Sequence, residues 1–270
     1  MTAEIADGKL DRLRQAVARY PSALVCYSGG VDSTLLATVA RQVLGEGMSA
    51  VTVNSPLLPP REFERATSLA SMLGFPLRII AADELSLPDF RNNPDDRCYL
   101  CKRHRLTLVI RQMKSEGFAV VLDGSNADDA LGHRPGRKAV EELGGVSPLE
   151  AAGFSKRDVR QAARDLALPN WNQPSRPCLA TRFHHGVELK PELLRMVDAA
   201  EEALEGLGLR EFRVRLEGRD WARIEVGGHD PALLVEKENR ERLVKKFKDL
   251  GFRRILLDLE GYRSGIMDEA

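Results

Sequence analysis

Cysteine is scarce in this chain: Cys26, Cys98, Cys101 and Cys178 are the only four in 270 residues. That is too few for a disulfide scaffold at this length, so each is read as a core thiol, a metal ligand or a catalyst in a reducing compartment. An excess of one charge is also lacking. Forty Lys and Arg balance forty Asp and Glu, which argues against a general nucleic-acid coat, since that needs a basic surplus. No run approaches the roughly 18 apolar residues of a membrane-spanning helix. The opening MTAEIADGKLDRLRQAV has no apolar signal core, so a cytoplasmic protein is expected. No internal repeat or low-complexity tract is present. What is there, 43% hydrophobic and 30% charged residues, is the composition of a folded chain with a sizeable core.

Strand-like and helix-like patterns alternate through the first two-thirds. Leu10, Leu13, Val17 and Tyr20 have helical spacing, and Ala23 to Tyr27 is a short apolar run entering Ser28-Gly-Gly30. Helical patterns over 35–43, 61–73 and 99–115 are interleaved with β-branched or apolar runs at 50–53, 77–80 and 119–122. This order predicts crossover connections and an α/β fold, a parallel sheet with helices on both faces. Residues 127–150 look irregular, a helix is predicted over 156–166, and Pro169, Pro174 and Pro177 forbid a regular element beyond it. A helix carrying Leu193, Leu194, Val197, Ala200, Leu204 and Leu207, strands over 212–216 and 222–226, a helix with Leu243, Phe247 and Leu250, and a strand over 254–259 predict a small C-terminal α+β domain. Domain bounds of 1–186 and 187–270 are expected.

Ligands of such sheets bind beyond the carboxyl ends of the strands. Two polar, glycine-bearing loops fall there. Ser28-Gly-Gly-Val-Asp-Ser-Thr34 follows the first strand and opens a helix. Its glycines permit close backbone approach, and the helix-start N–H groups with the hydroxyls of Ser28, Ser33 and Thr34 would cradle a phosphate. It is not the Walker pattern, which needs a lysine. Asp123-Gly-Ser-Asn-Ala-Asp-Asp129 follows the fourth strand and on its own could be an Asx-rich turn.

Cys26 lies inside the first strand and reads as core. Cys98-Tyr-Leu-Cys101 opens a helix, where two thiolates can face one ion and the helix start lowers their pKa. Cys178, in the proline-stiffened Gln173-Pro-Ser-Arg-Pro-Cys-Leu-Ala-Thr-Arg182, would be a third ligand or a nucleophile, its thiolate stabilised by Arg176 and Arg182. Zinc, a four-iron cluster with one iron open, a redox pair and simple packed thiols all remain open on the spacing alone.

The first loop resembles the S-G-G-x-D-S signature of the PP-loop ATP pyrophosphatases, and the second is similar to their G-T/S-N-x-x-D loop. The resemblance implies an adenine nucleotide alpha hydrolase-like fold and cleavage of ATP to AMP and pyrophosphate. It implies that Ser28, Gly29, Gly30, Ser33 and Thr34 hold the pyrophosphate end, that Asp32 helps bind Mg²⁺, and that Gly124 and Asn126 belong to the ATP site. The run around Cys178, with Phe212-Arg-Val-Arg215, Ala222-Arg-Ile-Glu-Val226 and Leu257-Asp-Leu-Glu-Gly-Tyr-Arg-Ser-Gly265, resembles the LarE family of sulfur transferases over nearly the whole chain. That family turns pyridinium-3,5-biscarboxylate mononucleotide into its thiocarboxylate form during synthesis of the nickel-pincer nucleotide. Some members sacrifice the sulfur of a lone cysteine at the Cys178 position. Others hold a [4Fe-4S] cluster on three cysteines, and Cys98, Cys101 and Cys178 resemble that branch.

Arg213 and Arg215 alternate on one strand and so share a face. The resemblance puts them on the substrate phosphate, and likens Glu201, Glu225 and Asp230 to acidic residues that bind a divalent metal. Without it, those acids would be ordinary surface carboxylates. His184 and His185 are left unassigned, because neighbours in a strand point apart. The expected partners are a small anionic nucleotide, a sulfide donor and further copies of the chain in a homo-oligomer. Two rival readings are a tRNA thiolase, using the basic stripe Arg97, Lys102, Arg103, Arg105, Arg111 and Lys114, and a non-enzymatic ATP-binding regulatory domain. The neutral total charge favours a small molecule over nucleic acid.

Overall fold

The structure is a computed structural model that describes residues 2–131, 135–228 and 231–263, with side chains described from residue 8 and not at 130–131. In chain order the elements are α1 (Thr2–Val17), β1 (Ala23–Cys26), α2 (Val31–Leu44), β2 (Met48–Asn54), α3 (Pro60–Met72), β3 (Leu77–Ala81), α4 (Pro88–Arg91), α5 (Arg97–Glu116), β4 (Val120–Leu122), α6 (Ala127–Leu131), α7 (Pro135–Glu142), α8 (Pro148–Ala151) and α9 (Lys156–Asp165). Then come α10 (Pro191–Glu205), β5 (Phe212–Glu217), β6 (Trp221–Val226), α11 (Pro231–Val235), α12 (Lys237–Asp249) and β7 (Arg254–Leu257). The chain forms two compact units. One takes the residues up to Glu84 together with Asp96–Ser175; the other takes Leu85–Asp95 together with the chain from Arg176 onward. The boundary expected at 186/187 lies inside the second unit.

The first unit is built on a four-stranded parallel sheet of order β3-β2-β1-β4. Ala23 pairs with Met48 on one side and with Val120 on the other, so β1 is central. Its alternation assigns the faces. Ala23, Val25 and Tyr27 pack with Leu13 and Val17 of α1, Leu35 and Leu36 of α2 and Val159 and Ala163 of α9. Leu24 packs on the other face with Leu106 and Val109 of α5 and Val140 of α7, and Cys26 lies against that cluster. With both faces covered, the strands carry near-continuous apolar runs, as parallel strands do. Each fully buried Leu or Val in this core stabilises by roughly 1.5–3 kcal/mol.

Residues 127–150 are not irregular as expected: they hold α6, α7 and α8. These helices are only 4 to 8 residues long. Such pieces span too few turns to display a 3.6-residue period, and α7 and α8 begin at prolines, which the first helical turn tolerates.

The second unit carries a three-stranded sheet of order β5-β6-β7, with β5 antiparallel and β7 parallel to β6. The last strand stops at Leu257, two residues short of the expected end. Residues 85–95 join this unit through Asn93, whose φ of 50° asparagine tolerates. Its Nδ2 donates to the carbonyls of Phe183 (3.1 Å) and His184 (2.9 Å).

Candidate active site

The loop between β1 and α2 closes on itself. Ser33 Oγ donates to the Gly30 carbonyl at 3.0 Å and accepts from the Ser28 backbone N–H at 3.2 Å. Thr34 Oγ1 also reaches the Gly30 carbonyl at 3.0 Å. Gly29 has φ +76°, and a Cβ there would lie 2.8 Å from the Cβ of Ala66 on α3. Only glycine meets both conditions. Asn170, which sequence reasoning missed, fastens the loop from behind: its Nδ2 donates to the Gly29 carbonyl at 2.8 Å and to Thr34 Oγ1 at 3.0 Å. The first turn of α2 thus directs its N–H groups and helix dipole at the loop, an arrangement that can receive an anion.

The second loop lies against it. A Cβ on Gly124 would sit 3.3 Å from the Ser33 nitrogen, so this glycine lets the two loops approach. Asn126 Nδ2 donates to Asp32 Oδ1 at 3.0 Å. Lys156, at the start of α9, pairs its ammonium with Asp32 Oδ2. Lys156 was also missed, because nothing nearby in sequence marks it: it stands 124 residues from its partner. Both oxygens of Asp32 are thus engaged, Oδ1 by Asn126 and Oδ2 by the Lys156 ammonium, so the carboxylate at the loop carries its own counter-charge.

Lys102 on α5 pairs with buried Asp123. Burial opposes both charges, but each partner outweighs it: Asp123 is held below the usual carboxylate range and Lys102 above the usual lysine range. Beside them, burial pushes the Cys26 thiol up to about 12, so it is a neutral thiol at physiological pH. Cys98 is exposed and Cys101 half-buried, in the first and second turns of α5. Cys101 Sγ donates to Oε1 of Glu84 at 3.8 Å. Glu84 is fully buried and also accepts from Arg105 and Ser55, both at 2.5 Å. Burial would raise its pKa, but Arg105 and Ser55 hold it below the usual range. The basic stripe of α5 is thereby reduced: Arg97 is buried, Lys102 serves Asp123 and Arg105 serves Glu84.

In the second unit, Cys178 is half-buried and precedes a short 3₁₀ turn over Leu179–Arg182. Arg182 turns back on this loop: its Nη1 donates to the carbonyls of Pro177 (3.0 Å) and Cys178 (3.2 Å). Its Nε and Nη2 form a fork onto both oxygens of Glu201, at 2.8 and 2.9 Å. Glu201 Oε1 also accepts from the Val214 N–H on edge strand β5, at 3.1 Å. Arg215 makes the same kind of fork to Glu225, at 3.0 and 2.9 Å, and Arg223 adds a bond of 2.9 Å. Arg213 lies over the Tyr262 ring, 4.6 Å from its centroid. Burial and the neighbouring Arg182 lower its pKa to about 10, which leaves it charged at neutral pH.

Glu201 and Glu225 are not the surface carboxylates the bare sequence predicts; they are 2% and 0% exposed. Helix and strand patterning counts charges as solvent-facing, and these are inside because arginines accompany them. Asp230 lies outside the described residues. His184 and His185 sit in a loop rather than a strand, on Glu217 (2.9 Å) and Asp95 (3.0 Å) respectively. Among the described residues, no group of three or more His, Cys, Asp or Glu is gathered as for a metal ion. No helix there is long and apolar enough to cross a membrane.

The asparagine synthase family matches residues 10–227. The chain is 41% identical, over 96% of both sequences, to the uncharacterized protein slr1717 of Synechocystis. It is 38% identical to pyridinium-3,5-bisthiocarboxylic acid mononucleotide synthase of Lactiplantibacillus plantarum, over 91% of this chain and 88% of that one. A more distant likeness, 30% identity over 69% of this chain and 40% of the relative, is to the glutamine-hydrolyzing GMP synthase of Aeropyrum pernix. With the phosphate loop, its facing asparagine loop and near full-length similarity together, the chain belongs to the LarE family of PP-loop ATP pyrophosphatases.

Proposed function

We propose that this protein is an ATP-dependent sulfurtransferase that adenylates a carboxylate of pyridinium-3,5-biscarboxylate mononucleotide and converts it to a thiocarboxylate, in the synthesis of the nickel-pincer nucleotide. The observation that carries this reading is the near full-length likeness to a synthase of that product, in a chain whose phosphate loop is preformed. A carboxylate is a poor electrophile. Its oxygen attacks the α-phosphorus of ATP and pyrophosphate leaves; sulfur then attacks the carbonyl carbon of the acyl adenylate, forming the C–S bond as the C–O bond to AMP breaks and AMP departs. The loop of Ser28, Gly29, Gly30, Ser33 and Thr34 would neutralise the departing pyrophosphate, with Asp32 helping to hold Mg²⁺ and Gly124 and Asn126 completing the ATP site. Lys156 joins this set through Asp32.

Arg213 and Arg215 are assigned to the substrate phosphate. Glu201 and Glu225, with Asp230, are assigned to a divalent cation, which would have to exchange partners with Arg182 and Arg215. Cys98, Cys101 and Cys178 are assigned as ligands of a [4Fe-4S] cluster. The C-x-x-C spacing of Cys98 and Cys101 at the start of α5 supports this reading. Such a group, when bound, supplies sulfide as the nucleophile without consuming a protein sulfur.

Pyrophosphate release on adding the biscarboxylate nucleotide, alone and after Asp32→Ala, tests the enzyme reading. Stimulated release that Asp32→Ala abolishes in a folded protein is expected; release indifferent to the substrate would sink it. Iron and acid-labile sulfide after anaerobic purification, with the intact mass after turnover, test the cysteine reading. A loss of about 34 Da at Cys178, the mass of hydrogen sulfide, would mean self-sacrifice instead.

A further inference from the structure

Apart from Lys156, one face of the first unit is not used by this chemistry. The apolar side of α9, Val159, Ala162 and Ala163, is buried in the core. Its other side lines an open groove of about 510 Å³ made by Lys156, Arg157, Arg160, Gln161, Arg164 and Trp171. Of the acids of this helix, Asp158 is spent on Lys9 and Ser155, and Asp165 accepts from Gln161 of the groove without pairing to an arginine. Among the described residues, Arg157, Arg160 and Arg164 form no ion pair, and Arg164 instead lies 5.3 Å from the centroid of the Trp171 ring. Three uncompensated guanidinium groups on one concave surface create a local positive potential within a chain of zero net charge. Guanidinium forks match phosphate oxygens.

The groove also adjoins the phosphate loop at two points. Lys156, its first residue, bonds Asp32, and Asn170, next to Trp171, bonds Gly29 and Thr34. We propose that the groove along α9 is a second polyphosphate site, distinct from the phosphate loop and beside it. Its ligand is a chain of two or more phosphates, either free pyrophosphate or the tail of a nucleoside triphosphate. The first source rests on the ATP-cleaving reading above; the second does not. Binding here draws polyphosphate toward or away from the loop without a step of chemistry.

Trp171 and Trp221 are the only tryptophans, so Trp221→Phe makes Trp171 the sole reporter. Titration of that protein with inorganic pyrophosphate, with ATP and with AMP, followed by tryptophan emission, is the experiment. A saturable change with pyrophosphate or ATP and none with AMP is expected; the responding ligand names the source. Arg157→Glu with Arg160→Glu leaves the Arg164–Trp171 pair in place, and should weaken that response at least about tenfold, the worth of one charge-assisted contact. Retention of radiolabelled ATP on the phosphate loop should stay unchanged. An undiminished response in the double variant, equal loss of loop-bound ATP, or equal competition by sulfate would overturn the site. A chain that passes this test yet releases no AMP with substrate keeps the groove and loses the sulfurtransferase reading, so the two failures are separable.

Discussion

Glu201→Gln isolates the Arg182–Glu201 pair. Both side chains are 3% exposed, so solvent cannot replace the lost charge. Breaking a buried pair from one side costs about 3–5 kcal/mol, because the remaining ion stays desolvated. Glutamine preserves one acceptor for the Val214 N–H, which places the expected loss near about 3 kcal/mol. The assay is urea unfolding of a Trp171→Phe background, where emission reports only Trp221 on β6 in the second unit. The pH dependence has a definite sign. Burial would raise the pKa of Glu201, but Arg182 holds its carboxyl below the usual range. A depressed carboxyl stabilises the fold above its unfolded value of about 4.3, and that contribution is lost as pH falls through the lower folded value. The gap between parent and variant should therefore be full at pH 7 and narrow in acid. Arg182→Met combined with Glu201→Leu should recover much of the loss. A cost under about 1 kcal/mol at pH 7, or a double replacement no better than Glu201→Gln, would refute the claim that this pair acts as a buried, mutually dependent unit.

The first unit yields two further expected outcomes. Gly29→Ala forces a methyl to 2.8 Å from Ala66 at a φ that L-residues rarely adopt; it should destabilise by at least about 1 kcal/mol and abolish ATP retention, and a protein with normal denaturant midpoint and ATP affinity would contradict it. Alkylation mapped by mass spectrometry should reach exposed Cys98 first and spare Cys26 up to pH 9, since burial pushes the Cys26 thiol up to about 12; early modification of Cys26 would argue against that burial.

The parallel sheet and the phosphate loop were legible in sequence because both are local. β-branched runs, a 3.6-residue period and a seven-residue loop each carry their meaning within a few positions. What escaped is non-local. Lys156 and Asn170 reach the loop across 124 and 141 residues, and no spacing rule links them. Glu201 and Glu225 read as solvent-facing because a carboxylate's burial depends on an arginine brought by another element. The short helices between 127 and 150 were hidden by their own prolines and glycines. The membership of residues 85–95 in the second unit rests on single contacts such as those of Asn93, which leave no pattern.

The split origin of the second unit bears on the order in which the chain comes together as it is synthesised. Asn93 leaves the ribosome 90 residues before Phe183 and 91 before His184, so its amide stays hydrated while the sheet of the first unit is already complete in sequence. The second unit closes late, over a long loop whose entropy must be offset by the C-terminal strands. A nascent chain halted at Ser175 therefore holds one finished domain and an eleven-residue fragment of the next, a state in which interruption exposes the fragment to proteases while the nucleotide-binding sheet survives.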